Sequence, residues 1–278
     1  MINIINSALN VPLMLTSIIA NTVVLVAILS TPSLRSSSAI VFLCSLALSD
    51  LLVGFIVQPL SIAKELVNHV DISSLKRATN IFATFLGGVS LFTSTAISVD
   101  RYLALRHHMR YPILVTTKRA IYTSTSLWIF CILLSFIGFW NKTTYFWGIA
   151  VSILICVLIS SFSYGRIFSF VRKHRLQIQS QQQNAESFNA EHHVQMKRLV
   201  KSVINTFLFF ICMIACYTPV LISSVLDAVS SGGISRSWIL ADTMAYMNSS
   251  INPFLYCWRL RELRRAFIKT LRKLSSCH

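Results

Sequence analysis

Acidic side chains are scarce in this chain: nine Asp and Glu among 278 residues, against 25 Lys and Arg. Charged residues of both signs make up only 12%, about half the share usual in soluble domains. Hydrophobic residues reach 54% and the mean hydropathy is +0.65. A core of this size cannot hide that much apolar surface from water, so the solvent for most of it is lipid. The shortage of charge also leaves no exposed basic face, so the net +16 does not describe a nucleic-acid binder. No nucleophile–base pair appears at one depth. The histidines (His69, His107, His108, His174, His192, His193, His278) fall in loops or ends, not in an intramembrane metal set. An enzyme is not expected. The seven cysteines (44, 131, 156, 212, 216, 257, 277) lie in apolar runs or in the tail, so no external disulfide is expected.

What is present is seven apolar runs near the twenty residues a bilayer requires. They fall at about 9–30, 39–63, 78–104, 119–140, 145–171, 197–228 and 237–258. Twenty of the 25 Lys and Arg gather on one side if the amino terminus is outside; Lys64, Lys76, Arg77, Lys142 and Arg236 remain on the other. That bias predicts a multi-pass plasma-membrane protein with an outer amino terminus and a cytoplasmic carboxyl terminus. The basic collar would face anionic lipid and a cytoplasmic partner. No basic segment precedes the first run, so it reads as an uncleaved insertion signal. Residues 176–196 are rich in Gln, Asn, Ser and His and read as a polar cytoplasmic linker. No repeat relates the two halves, which weakens a transporter built from inverted repeats. The expected fold is all-α, a seven-transmembrane helix bundle.

Polar residues inside the runs carry the functional signal, because burying an acid in a bilayer costs about 2.5–3.5 kcal/mol. Asp50 sits mid-span in SLALSDLLVG, Ser90 in the third run and Asn21 in the first. Asn248 and Asn252 share one face of the seventh at i and i+4. One carboxylate with amide and hydroxyl oxygens suits a small hard cation such as Na⁺. The same set could equally be an interhelical hydrogen-bond knot that glues the bundle. At the inner end of the third run stands Asp100-Arg101-Tyr102. Pro253, in Asn252-Pro253-Phe254-Leu255-Tyr256, and Pro219, in Cys216-Tyr217-Thr218-Pro219, should kink the last two helices.

Together with Trp128 and Tyr164, these motifs run one per helix in order, and over essentially the whole chain the sequence resembles the rhodopsin-like (class A) G-protein-coupled receptors. The resemblance implies that an extracellular small ligand, a cationic peptide or small molecule or a lipid, is coupled to a cytoplasmic heterotrimeric G protein. It implies an allosteric Na⁺ site at Asp50, Ser90, Asn248 and Asn252. It implies that Arg101, flanked by Asp100 and Tyr102, contacts the G protein, and that Tyr164 and Tyr256 swing inward in the active state around hinges at Pro219 and Pro253. The physical logic is a two-state bundle biased by differential ligand contacts. The alternative is a seven-helix transporter or channel, which would want charges along a path, whereas only Asp50 is a mid-span charge.

Four departures stand out. Lys76 lies near the position where the family usually has a bridging cysteine, as in the melanocortin, cannabinoid, lysophospholipid and adenosine-type group that this chain looks like in its departures. Cys156 replaces the proline of the fifth helix, Tyr217 the tryptophan of the sixth, and Leu199 an acid that often pairs with Arg101. Without that acid, ligand-independent signalling is expected. The seventh run has no lysine for a retinal Schiff base, Tyr246 standing at that position, and Ala83 stands where amine receptors have an aspartate. Asn80, Ala83, Thr84, Tyr217, Asp242 and Tyr246 are the expected ligand-facing residues, Asp242 contacting a cation unless it pairs with Lys64 or Arg236 at the rim. In the tail, Leu260, Leu263, Phe267, Leu271 and Leu274 space an apolar stripe among bases, so 259–274 reads as an interfacial amphipathic helix on membrane lipid. Cys277 is a palmitoylation candidate and Asn141, in Asn141-Lys142-Thr143, a glycosylation acceptor.

Overall fold

A computed structural model describes residues 2–32, 38–66, 72–107, 110–182, 190–229, 237–259, 264–265 and 267–268. Side chains of 2–5, 72, 139, 174–206, 237, 256 and 258–259 lie outside that description. Seven long helices account for most of it: α1 (Ile2–Leu29), α2 (Ser38–Leu66), α3 (Ile72–Arg106), α4 (Thr117–Phe136), α5 (Lys142–Gln182), α6 (Ala190–Val229) and α7 (Ser237–Arg259). Among the described residues, α1 to α6 are long and apolar enough to cross a membrane. The 23-residue α7 is diluted by Asp242, Asn248, Ser249, Ser250 and Asn252. These are the polar groups that the bundle interior receives.

The helices close into a ring, α1 packing on α2 and α7, α5 on α6, and α6 on α7. The long α3 runs between α2, α4 and α5. One apolar cluster joins α1, α2, α3, α4 and α6 around Val24, Leu46, Ile97, Ala120 and Phe209. Another joins α3, α5 and α6 around Leu91, Cys156, Phe210, Met213 and Tyr217. Outward faces carry Phe55, Tyr122, Leu133 and Phe162, each more than half exposed, a surface compatible with lipid but not with water.

Local sequence explains the irregularities. Pro59 lacks the N–H that would bond the carbonyl four residues back, and its ring would strike that carbonyl. The turn before it, Val53–Val57, widens into a π-helix, closed by Gln58 N–H on the Val53 carbonyl. There Gly54 lets α1 come so close that a Cβ would meet Ser17 Cβ at 3.1 Å and Ile18 Cγ1 at 3.0 Å. Thr116 caps α4 by accepting the Arg119 N–H. Within the polar stretch 176–196, α5 continues to Gln182 and α6 starts at Ala190, with 183–189 outside the described residues. Gln is a good helix former, so a polar run such as 176–182 can extend the helix beyond the apolar segment. In the tail, Arg264 and Arg265 are exposed while Phe267 packs against the first apolar cluster; Cys277 and most of 260–278 lie outside the described residues. The six described cysteines are free thiols.

Candidate functional site

Three polar assemblies are stacked along the bundle. The central one is built on Asp50, which is fully buried on α2. Ser90 of α3 donates its hydroxyl to Asp50 Oδ1 and Asn252 of α7 donates its amide to Oδ2, both at 2.8 Å. Pro253 frees the Ser249 carbonyl from its helical bond, and the Asn21 amide takes it at 3.2 Å. Ser17 in turn donates to the Asp50 carbonyl at 2.8 Å, and the Ser249 side chain faces the Asp50 carboxylate. Asn248 is buried one turn from Asn252; among the described residues its Nδ2 has no hydrogen-bond partner, nor has Asn252 Oδ1. The spacing in the sequence found Asp50, Ser90, Asn252 and Asn21. It missed Ser17 and Ser249, although they lie four and three residues before Asn21 and Asn252 on the same helical faces.

At one end of the bundle lies Arg101. Its Nη2 pairs with Asp100 Oδ2 at 2.9 Å, and Tyr111 of the one-turn helix Tyr111–Leu114 donates to Asp100 Oδ1 at 2.7 Å. Burial raises the Tyr111 phenol above its ordinary range, which keeps it a donor. Tyr102 bonds Arg106, and Ser98 donates to Tyr164 Oη at 3.0 Å. Tyr164 stacks against Phe210 of α6 with centroids 4.8 Å apart. Pro219 lies inside α6 and Pro253 inside α7. The side chains of Leu199 and Tyr256 lie outside the described residues.

Toward the other end opens a cavity of about 480 Å³, lined by residues of α2 to α7. All six expected ligand residues, Asn80, Ala83, Thr84, Tyr217, Asp242 and Tyr246, line it. Its lower wall holds Val53, Val57, Leu91, Phe92 and Ser249, so the cavity reaches a residue that faces Asp50. Tyr217 donates to the Gly87 carbonyl at 3.2 Å, and Thr84 bonds the Tyr145 hydroxyl. Charge is confined to the mouth: Lys64, Glu65, Lys76 and Asp242. Lys64 Nζ lies 3.5 Å from Asp242 Oδ2, so Asp242 has the rim partner that the sequence left open. Glu65, missed as a structural residue, accepts from Asn6 at 2.8 Å and Ser7 at 2.9 Å of α1. Asp227 accepts from the Trp238 indole at 2.7 Å. Asn141 is exposed and caps α5 through the Thr144 N–H.

A ring of seven long helices, a buried carboxylate knot and a cavity above it are the parts of a transmembrane receptor. The chain matches the profile of the 7 transmembrane receptor (rhodopsin family) over residues 20–146 and 137–256, and it belongs to that family. It is thus a multi-pass, non-enzymatic receptor of class A type that acts in signal transduction. It is 26% identical to the Danio rerio melanocortin receptor 4, the match covering 91% of this chain and 79% of the relative. It is 26% identical to the Cavia porcellus histamine H2 receptor, covering 94% and 77%. Against the Takifugu rubripes cannabinoid receptor type 1B, identity is 26% over 91% of this chain and 60% of the relative. These relatives are named for melanocortin, histamine and cannabinoid, so the likeness does not select a ligand for this chain.

Proposed function

We propose that this receptor takes a small ligand in the cavity bounded by Lys64, Asp242 and Tyr217 and drives nucleotide exchange on a heterotrimeric G protein at the Arg101 end. The observation that carries the reading is continuity. Tyr217 belongs at once to the cavity wall and to the apolar cluster that contains Tyr164, Phe210 and Met213. Ligand contacts that repack Tyr217 therefore act on the residues beside Ser98 and Arg101 without a gap in packing. The mouth faces outward in the plasma membrane and Arg101 faces the cytoplasm, as the Lys and Arg bias supports. Asp50, Ser90 and Asn252, with Asn248 beside them, hold Na⁺ in this reading. The donor set fits: one carboxylate, the Ser90 hydroxyl oxygen and the unpaired Asn252 Oδ1 are hard oxygen ligands at one depth. A bound cation would stabilise one packing of α2, α3 and α7.

Because Leu199 supplies no charge to restrain Arg101, signalling occurs without ligand. The test is second-messenger output across a panel of G-protein subtypes in cells at matched surface expression. Basal output in at least one subtype, abolished by Arg101→Ala, supports the reading. Output that is insensitive to Arg101→Ala would sink it. A transporter or channel would instead show solute flux that survives loss of the G proteins. Glycosylation at Asn141 and palmitoylation at Cys277 are read out by glycosidase and acyl-exchange gel shifts.

A further inference from the structure

The charges at the cavity mouth are balanced in number but not in place. On the α2/α7 wall two acids, Glu65 and Asp242, stand with one base, Lys64. Glu65 is anchored by Asn6 and Ser7, so its charge is fixed at the rim and turned toward α1. Lys64 Nζ lies 3.5 Å from Asp242 Oδ2, a long contact, and among the described residues Lys64 is the one base that lines the cavity on this wall against two acids. That wall has an excess negative charge. On the α3 wall Lys76 has no ion-pair partner among the described residues, and one turn inward Asn80 offers an amide with no bond among them either. That wall has an excess positive charge. Below both walls the cavity turns apolar.

From this dipolar mouth over an apolar floor we infer that the ligand is a zwitterionic amphiphile: an amine set against Asp242, an acid group set against Lys76 and Asn80, and an apolar body pointing at Tyr217. This deepens the receptor reading above and rests on it. A bare amine satisfies one wall and a bare acid the other. The summed field of two bases and two acids favours neither net charge; only a ligand with separated charges meets both walls. Since each wall contributes to discrimination, the group that a ligand lacks is felt as lost affinity and not merely as an unused contact.

The test uses purified receptor in lipid nanodiscs and two matched triads of probes. One triad is 2-phenylethylamine, 3-phenylpropanoic acid and phenylalanine; the other is dodecylamine, dodecanoic acid and 2-aminododecanoic acid. Affinity is read from concentration-dependent shifts in thermal unfolding. The expected result is that, for at least one body, the amino acid binds about tenfold or more tightly than both single-charge partners. Lys76→Gln should erase its advantage over the amine, and Asp242→Asn its advantage over the acid. Lys76→Arg and Asp242→Glu should retain the advantage, which separates recognition from misfolding. An amine or acid that equals the amino acid, or no binding by any probe, overturns the inference. The same preparations are assayed for G-protein nucleotide exchange. Exchange without zwitterion preference rejects the ligand class alone, whereas preference without exchange rejects the receptor reading alone.

Discussion

Removing the Ser90 hydroxyl probes whether Asp50 anchors the bundle as a charged hub. Hydrogen bonds between membrane helices average about 0.6 kcal/mol, because the unpacked helices find other partners in the bilayer. A bond to a charged acceptor is worth about 1.5–3 kcal/mol. Both Asp50 oxygens accept at 2.8 Å, from Ser90 and Asn252, the pattern of a carboxylate, so the larger figure applies. Ser90→Ala should therefore lower unfolding stability by at least about 1.5 kcal/mol, more than twice an ordinary membrane bond. In a double-mutant cycle with Asp50→Asn, the coupling should reach about 1 kcal/mol, since the second change finds the bond already weakened. Reversible unfolding in mixed micelles supplies all four corners of the cycle. A Ser90→Ala cost of about 0.6 kcal/mol with no measurable coupling would refute the charged-hub argument and leave ordinary helix glue.

Other outcomes follow from the same contacts. Exchanging choline for Na⁺ at constant ionic strength should cost about 1.4 kcal/mol when Na⁺ stands at ten times its dissociation constant, and Asp50→Asn should abolish that difference in thermal unfolding. Gly54→Ala forces a Cβ to within 3.3 Å of the Ile18 backbone nitrogen, so α1 must move; a loss of about 1–3 kcal/mol is expected by the same unfolding assay. Tyr111→Phe leaves the buried Asp100 Oδ1 without its donor at a cost of about 1–3 kcal/mol, read as lower stability and altered basal nucleotide exchange; unchanged values for both would show the bond to be incidental.

Much of this arrangement is legible in the order of residues, and the rest fails for definable reasons. Each of the seven apolar runs overlaps one long helix, since hydrophobic length is a strong constraint in lipid, although α5 continues eleven residues beyond its run and α6 begins seven before its own. Polar residues at helical spacing single out Asp50, Ser90 and Asn252, because each would be costly facing lipid. Ser17 and Ser249 give no such signal: each can bond the turn before it in any helix, so their roles appear only in three dimensions. The contacts of Glu65 with Asn6 and Ser7 join residues nearly sixty positions apart and leave no local pattern. The widened turn at Val53–Val57 follows from Pro59, yet periodicity alone does not separate a π-turn from a kink. The extension of α5 into the polar stretch after the fifth run is not legible either, because hydropathy reports what a helix faces and not whether it continues.

The most direct test of the receptor account is nucleotide exchange on purified heterotrimeric G proteins by this chain alone in nanodiscs, without ligand. The account expects exchange to accelerate for at least one G-protein subtype and to return to the receptor-free rate with Arg101→Ala. Rates indistinguishable from receptor-free controls for every subtype, from a folded preparation, would contradict it.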